Sequence, residues 1–113
     1  MTMISRFLAC TGIIAATMMS LLLLAAPAQA ASLDHWDRLA WCESSGNWRA
    51  NTGNGYYGGL QFSHKTWTGF GGGAYASTAN HATRGQQIAI ARKVLLVQGW
   101  KAWPTCSRKI GLR

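Results

Sequence analysis

The sequence is 113 residues long, 49% hydrophobic, and its eleven Lys and Arg face three acidic residues, for a formal net charge of +8. That length holds one domain and excludes two. The basic balance would suit nucleic acid, but no recognised nucleic-acid-binding motif accompanies it, and an anionic polymer outside the cell is the better match.

In chain order, an address comes first. Arg6 gives a positive n-region, Ile13 to Ala26 is an uncharged apolar run, and Ala28-Gln29-Ala30 is a small-x-small cleavage site. The expected organisation is a signal peptide over 1–30 and one domain over 31–113, secreted or held at the cell wall after cleavage near Ala30. The rival, an uncleaved anchor, is disfavoured because the apolar run is short for a span. Cys10 precedes the apolar core and leaves with the leader. Cys42 and Cys106 remain, an even number in an exported chain of about eighty residues, and a disulfide between them is the natural inference. It would close a loop worth roughly 4 kcal/mol of chain entropy. A metal site competes poorly, because the cysteines and His35, His64 and His81 lack ligand spacing.

The first helix is expected to start at Ser32 as N-cap, with Asp34 and Asp37 in its first turn. Leu33, Trp36, Ala40 and Glu43 recur at helical spacing, which puts Glu43 on or near the apolar side. Glu43 is the only glutamate, and the chain then breaks into Ser44-Ser45-Gly46-Asn47. Burial and the negative helix end both favour a neutral carboxyl, which is what a general acid needs.

Asn51 to Gly55 is turn-rich, with Asn54-Gly55 a hairpin signal. Tyr56 to Phe62 reads as a short irregular β-segment, and Ser63 to Thr68 as one or two helical turns carrying Trp67. Gly69 to Asn80 is a mobile small-residue loop, either a flap over a groove or a plain connector. Thr83-Arg84-Gly85-Gln86 matches a capping box. The core helix follows, with Ile88, Ala91, Val94, Leu95 and Gln98 on one face and Gly99 as its stop. The tail folds back to bring Cys106 to Cys42. All six tryptophans lie after the leader; some build the core, and two or three are expected in a groove against sugar rings.

Three motifs now stand in order: Cys42-Glu43-Ser44-Ser45-Gly46-Asn47-Trp48, then Asn51-Thr52-Gly53-Asn54-Gly55-Tyr56-Tyr57-Gly58-Gly59-Leu60-Gln61-Phe62, then Ala102-Trp103-Pro104-Thr105-Cys106. Together they closely resemble the catalytic domain of mycobacterial and actinobacterial resuscitation-promoting factors, over essentially all of the mature chain. The resemblance implies a lysozyme-like α+β fold, mainly helical with a short β-wing and one disulfide. It also implies cleavage of the MurNAc-GlcNAc bond in peptidoglycan glycan strands, with Glu43 as catalytic acid and promotion of growth from dormancy. Asn54, Tyr56, Tyr57 and Gln61 fall in the motif bordering substrate, Thr66 and Gln98 correspond to groove positions, and Trp67 joins them as a substrate-binding candidate. No cofactor or metal is implied. The expected partners are glycan strands and a cell-wall peptidase, with no nucleic acid and no membrane after processing, and the expected state is a monomer. Ser45 departs from the glycine more usual there, and Ser63 and Gln86 from residues that are acidic in some relatives.

Ordinary glycosidases use two carboxyl groups. On a helix, Asp37 and Glu43 would lie roughly 9 Å apart along the axis and about 120° apart around it, and Asp34 would point away from Glu43. A route with one acid/base residue is therefore favoured. Attack by the sugar's own C6 hydroxyl would give a 1,6-anhydro end, and attack by water a hydrolytic one. Two further classes compete. A non-catalytic wall-binding growth signal would not need Glu43. A membrane-active cationic protein would want a continuous basic amphipathic helix, which Arg84, Arg92 and Lys93 alone do not make.

Overall fold

The computed structural model describes residues 34–113, and the expected leader and the expected cap Ser32 lie outside them. Helix α1 spans His35–Ser44 and is capped by Asp34, whose carboxylate accepts from the Trp36 N–H at 2.6 Å. A carboxylate both accepts that bond and complements the positive helix end, so Asp34 takes the role expected of Ser32. Trp36, Leu39 and Ala40 form the buried face. The helix ends as the Ser45 N–H bonds Trp41 O and the Gly46 N–H bonds Ala40 O, both at 3.1 Å. Ser45 sits at φ 57°, a left-handed conformation that costs a residue with a Cβ. Ser45→Gly is expected to raise stability by about 0.5–1 kcal/mol. Chemical denaturation would register a higher midpoint at unchanged slope, and a lower midpoint would refute it.

Strands β1, Tyr56–Tyr57, and β2, Phe62–Ser63, pair antiparallel, with Tyr56 opposite Ser63 and Tyr57 opposite Phe62. The tight turn between them is Gly58 to Gln61. Asn54-Gly55 instead turns the preceding segment so that Asn51 bridges to Tyr57. Helix α2, His64–Gly69, is capped by Ser63, whose hydroxyl oxygen accepts from the Thr66 N–H at 3.1 Å.

Residues 69–80 are no flap. They hold the 3-10 turn Gly72–Ala74, packed onto Trp67, and lead into a second, Ala79–His81. The Trp67 indole donates to Ala76 O at 2.8 Å, and a Cβ on Gly72 would collide with the indole. None of these residues lines the cavity that holds Glu43.

Helix α3, Arg84–Gln98, begins with the full capping box between Thr83 and Gln86 and ends at Gly99, φ 71°. Its buried face is Gln87, Ile88, Ile90, Ala91 and Val94. Gln87 is the unexpected member. Its amide accepts from the Gly59 N–H at 2.9 Å and donates to Trp48 O at 2.8 Å and Ala82 O at 3.1 Å. A buried amide with these bonds made holds the hairpin to the helical body.

The tail turns through Trp100–Ala102 and then forms a helix not anticipated from the sequence, α4, Pro104–Lys109. Pro104 suits the first turn, where its missing N–H leaves no bond unmade. Cys106 on α4 joins Cys42 on α1, Cα–Cα 5.7 Å. The Trp36 ring lies 5.2 Å from that of Trp100 and 5.7 Å from that of Trp103, adding aromatic packing to the same junction. The result is a helix-rich α+β domain with a two-stranded wing and one disulfide, the architecture the resemblance implies. No helix among the described residues is long and apolar enough to cross a membrane.

Candidate active site

Glu43 lies in the last turn of α1, and both of its neighbours are tied down. Cys42 is bridged to α4, and the Ser44 hydroxyl reaches Ala40 O at 3.0 Å and Gly59 O at 2.8 Å. The segment is thereby fixed to the tail on one side and to the hairpin on the other. The Glu43 side chain is half-buried in the wall of a cavity of about 320 Å³ shared with Tyr56, Gln61 and the Ala102 to Thr105 stretch. A narrower cavity of about 90 Å³ shares Tyr56, Gln61, Ala102 and Trp103 and extends to Ser63, Thr66 and Gln98. The two form one groove between the wing and the helical body.

Burial pushes the Glu43 carboxyl above the ordinary glutamate range. It is the one carboxylate among the residues lining either cavity. Asp37 is held by Arg84 through two bonds, at 2.8 and 2.7 Å, and Asp34 caps α1. The arrangement can donate a proton to an oxygen in the groove and, once ionised, take one back.

The sequence-predicted site residues separate into three groups. Tyr56, Gln61, Thr66 and Gln98 line the groove. Asn54 stands behind its wall, where its amide donates to the Gln61 side chain at 3.3 Å and accepts from the Tyr56 N–H at 3.0 Å. Gln61 also donates to Gly58 O at 3.0 Å, and its φ of 56° is a left-handed strain of the kind found at ligand sites. Tyr57 is half-buried and packs on the core instead. Trp67 corrects the expectation outright: it is fully buried against Phe62, with ring centroids 5.3 Å apart, and cannot touch a polymer.

The tryptophans as a set also depart from expectation. Trp36, Trp67 and Trp103 are buried, Trp48 and Trp100 half-buried, and Trp41 is exposed away from the groove lining. Only Trp103 lines the groove, with its indole N–H spent on Leu60 O at 2.9 Å. Sequence reasoning missed Trp103, Pro104 and Thr105 as groove residues. Their signal is the motif ending at Cys106, which carries the family resemblance and the disulfide but from which no groove residue is expected.

A family model described as a transglycosylase-like domain matches residues 30–106. The chain is 58% identical over 90 residues to resuscitation-promoting factor Rpf1 of Corynebacterium glutamicum, covering 80% of this chain and 47% of that protein. It is 55% identical over 85 residues to RpfA of Mycobacterium tuberculosis, covering 75% and 21% respectively. To RpfC of the same species it is 53% identical over 93 residues, covering 82% and 64%. The chain thus spans about half the length of Rpf1 and about a fifth of RpfA.

Proposed function

The chain belongs to the transglycosylase-like domain family, in the group that includes the resuscitation-promoting factors, and from that premise we propose that it is a secreted enzyme cleaving peptidoglycan glycan strands by a lytic transglycosylase route. The observation that carries this reading is Glu43: one half-buried carboxyl of raised pKa in a groove whose lining holds no second carboxylate. A two-carboxylate mechanism has no partner there.

In the proposed reaction the protonated Glu43 donates to the glycosidic oxygen as the bond from that oxygen to the sugar's C1 breaks. The electron pair leaves with the oxygen, and the sugar's own N-acetyl oxygen stabilises the positive centre. The ionised Glu43 then takes the proton from the C6 hydroxyl of the same sugar, whose oxygen bonds to C1. The carboxyl is restored, and the product is a 1,6-anhydro end. Tyr56, Gln61, Thr66 and Gln98 hold the strand along the groove. Promotion of growth from dormancy follows, in this reading, from wall cleavage.

Digestion of purified wall followed by mass analysis tests the route. Released fragments are expected to be one water lighter than hydrolytic products, and fragments of full water mass would overturn the transglycosylase step. The pH profile gives a second check. Activity requires the protonated acid, so it should fall as pH rises through the Glu43 pKa. Because burial raises that pKa, the fall should begin above the ordinary value of about 4.3. A profile already falling below that value would contradict Glu43 as the acid.

A further inference from the structure

A cavity of about 650 Å³, larger than the one at Glu43, lies elsewhere on the domain and shares no lining residue with it. It is lined by Trp48 and Arg49, by Asn80 and His81 of the 3-10 turn Ala79–His81, and by Thr83 and Arg84 at the start of α3. The Trp48 indole is already covered: Gly59 lies against it so closely that a Cβ would collide, and the Arg84 guanidinium stands 5.4 Å from its ring centroid. Little aromatic face remains for stacking on a sugar.

What the cavity offers is mainly donors, with the His81 imidazole, which can donate and accept, beside them. The Asn80 side-chain oxygen is engaged by the Thr78 hydroxyl at 2.7 Å, and Thr83 Oγ1 by the Gln86 N–H at 3.1 Å, so these two acceptors are used. The Trp48 indole N–H, the Asn80 amide nitrogen and the Arg49 guanidinium have no hydrogen-bond partner among the described residues; the bonds these residues make use other atoms. Arg84 spends Nε and Nη2 on Asp37, and its charge is offset by Asp37 and Asp34. Arg49 therefore supplies the uncompensated positive charge. A cavity lined mainly by donors beside a free guanidinium suits an anion such as a carboxylate, and this volume is that of a small-ligand site, with room for more than one inorganic anion.

We propose that this cavity binds the carboxylate-bearing peptide stem of the wall polymer, as a second contact separate from the glycan groove. The assignment of the polymer rests on the function proposed above. It gives the domain a way to distinguish strands that carry peptide from bare glycan.

The test is an NMR titration of the full chain with a synthetic L-Ala–D-Glu–meso-diaminopimelate tripeptide, free carboxylates intact. The Trp48 indole N–H is expected to shift saturably while that of Trp103 does not. Arg49→Glu should weaken binding by about tenfold or more, since it replaces a charged hydrogen bond with a repulsive pair. Arg49→Lys should retain a measurable part, and the fully amidated tripeptide should not bind. Equal binding by native chain and Arg49→Glu, equal binding of the amidated peptide, or shifts centred on Trp103 and Gln61 would each overturn the proposal. Inorganic phosphate binding as tightly as the tripeptide would overturn the peptide assignment. The titration involves no cleavage, so it reads the cavity independently of Glu43. Loss of the pocket would leave the Glu43 reading intact, and digestion by Glu43→Gln would sink that reading while leaving the titration interpretable.

Discussion

Glu43→Gln is expected to reduce release of glycan fragments by about 10²–10⁴-fold, toward the upper end of what general acid/base assistance supplies. Glutamine keeps the size and polarity of the protonated side chain and can neither protonate the leaving oxygen nor deprotonate the attacking hydroxyl. No carboxylate in the groove lining can substitute, because Asp37 is committed to Arg84 and Asp34 to the helix cap. Fold and wall binding should survive. Stability should improve at neutral pH, and the sign follows from linkage. Burial raises the folded-state pKa of Glu43, so the native state binds more protons than the unfolded chain as pH passes from the unfolded to the folded pKa. Stability is lost across that window, and the variant, with no proton to lose, does not share the loss. Undiminished digestion by Glu43→Gln would sink the catalytic assignment, and a variant that neither cleaves nor binds wall would point to a disturbed groove instead.

Cys106→Ala is expected to cost about 2–5 kcal/mol of stability, the range for native disulfides in small secreted domains. The bridge spans a sequence separation of 64 residues and joins α1 to α4. Its loss also releases one side of the Glu43 segment, leaving the Ser44 bond to Gly59 on the other. Activity should therefore fall more than wall binding does in the fraction that remains folded. Denaturant titration measures the first effect, and digestion against wall binding at a temperature well below the transition measures the second. A variant as stable as the native chain would show that the packing of Trp36, Trp100 and Trp103 holds the junction alone. A parallel fall in binding and activity would remove the positioning role of Cys42.

The helices that carry the site were legible because their signals are local. The spacing of Trp36, Ala40 and Glu43 marks α1, and Thr83 with Gln86 marks the start of α3, since both rest on contacts within one turn or one face. The pairing of Cys42 with Cys106 was legible by count alone. The cap of α1 was misjudged, as Ser32 and Asp34 are both good caps and only the geometry of the helix start selects between them. The small-residue stretch 69–80 looked loose by composition. Its glycine at 72 is required because Trp67 packs directly on it, and no neighbour in sequence reports that contact.

The sequence by itself determined the residues on which the proposed chemistry rests: a basic chain with one glutamate beside a bridging cysteine, and two aspartates not spaced to assist it. Tertiary structure decided which aromatic and amide side chains meet that glutamate. It sent Trp67 into the core, drew Trp103, Pro104 and Thr105 into the groove wall, and used Gln87 to pin the hairpin to α3. A tryptophan or glutamine has the same local preferences in a core as in a groove. Burial is decided by what packs across from it, and for these residues the partners lie in separate elements of the fold.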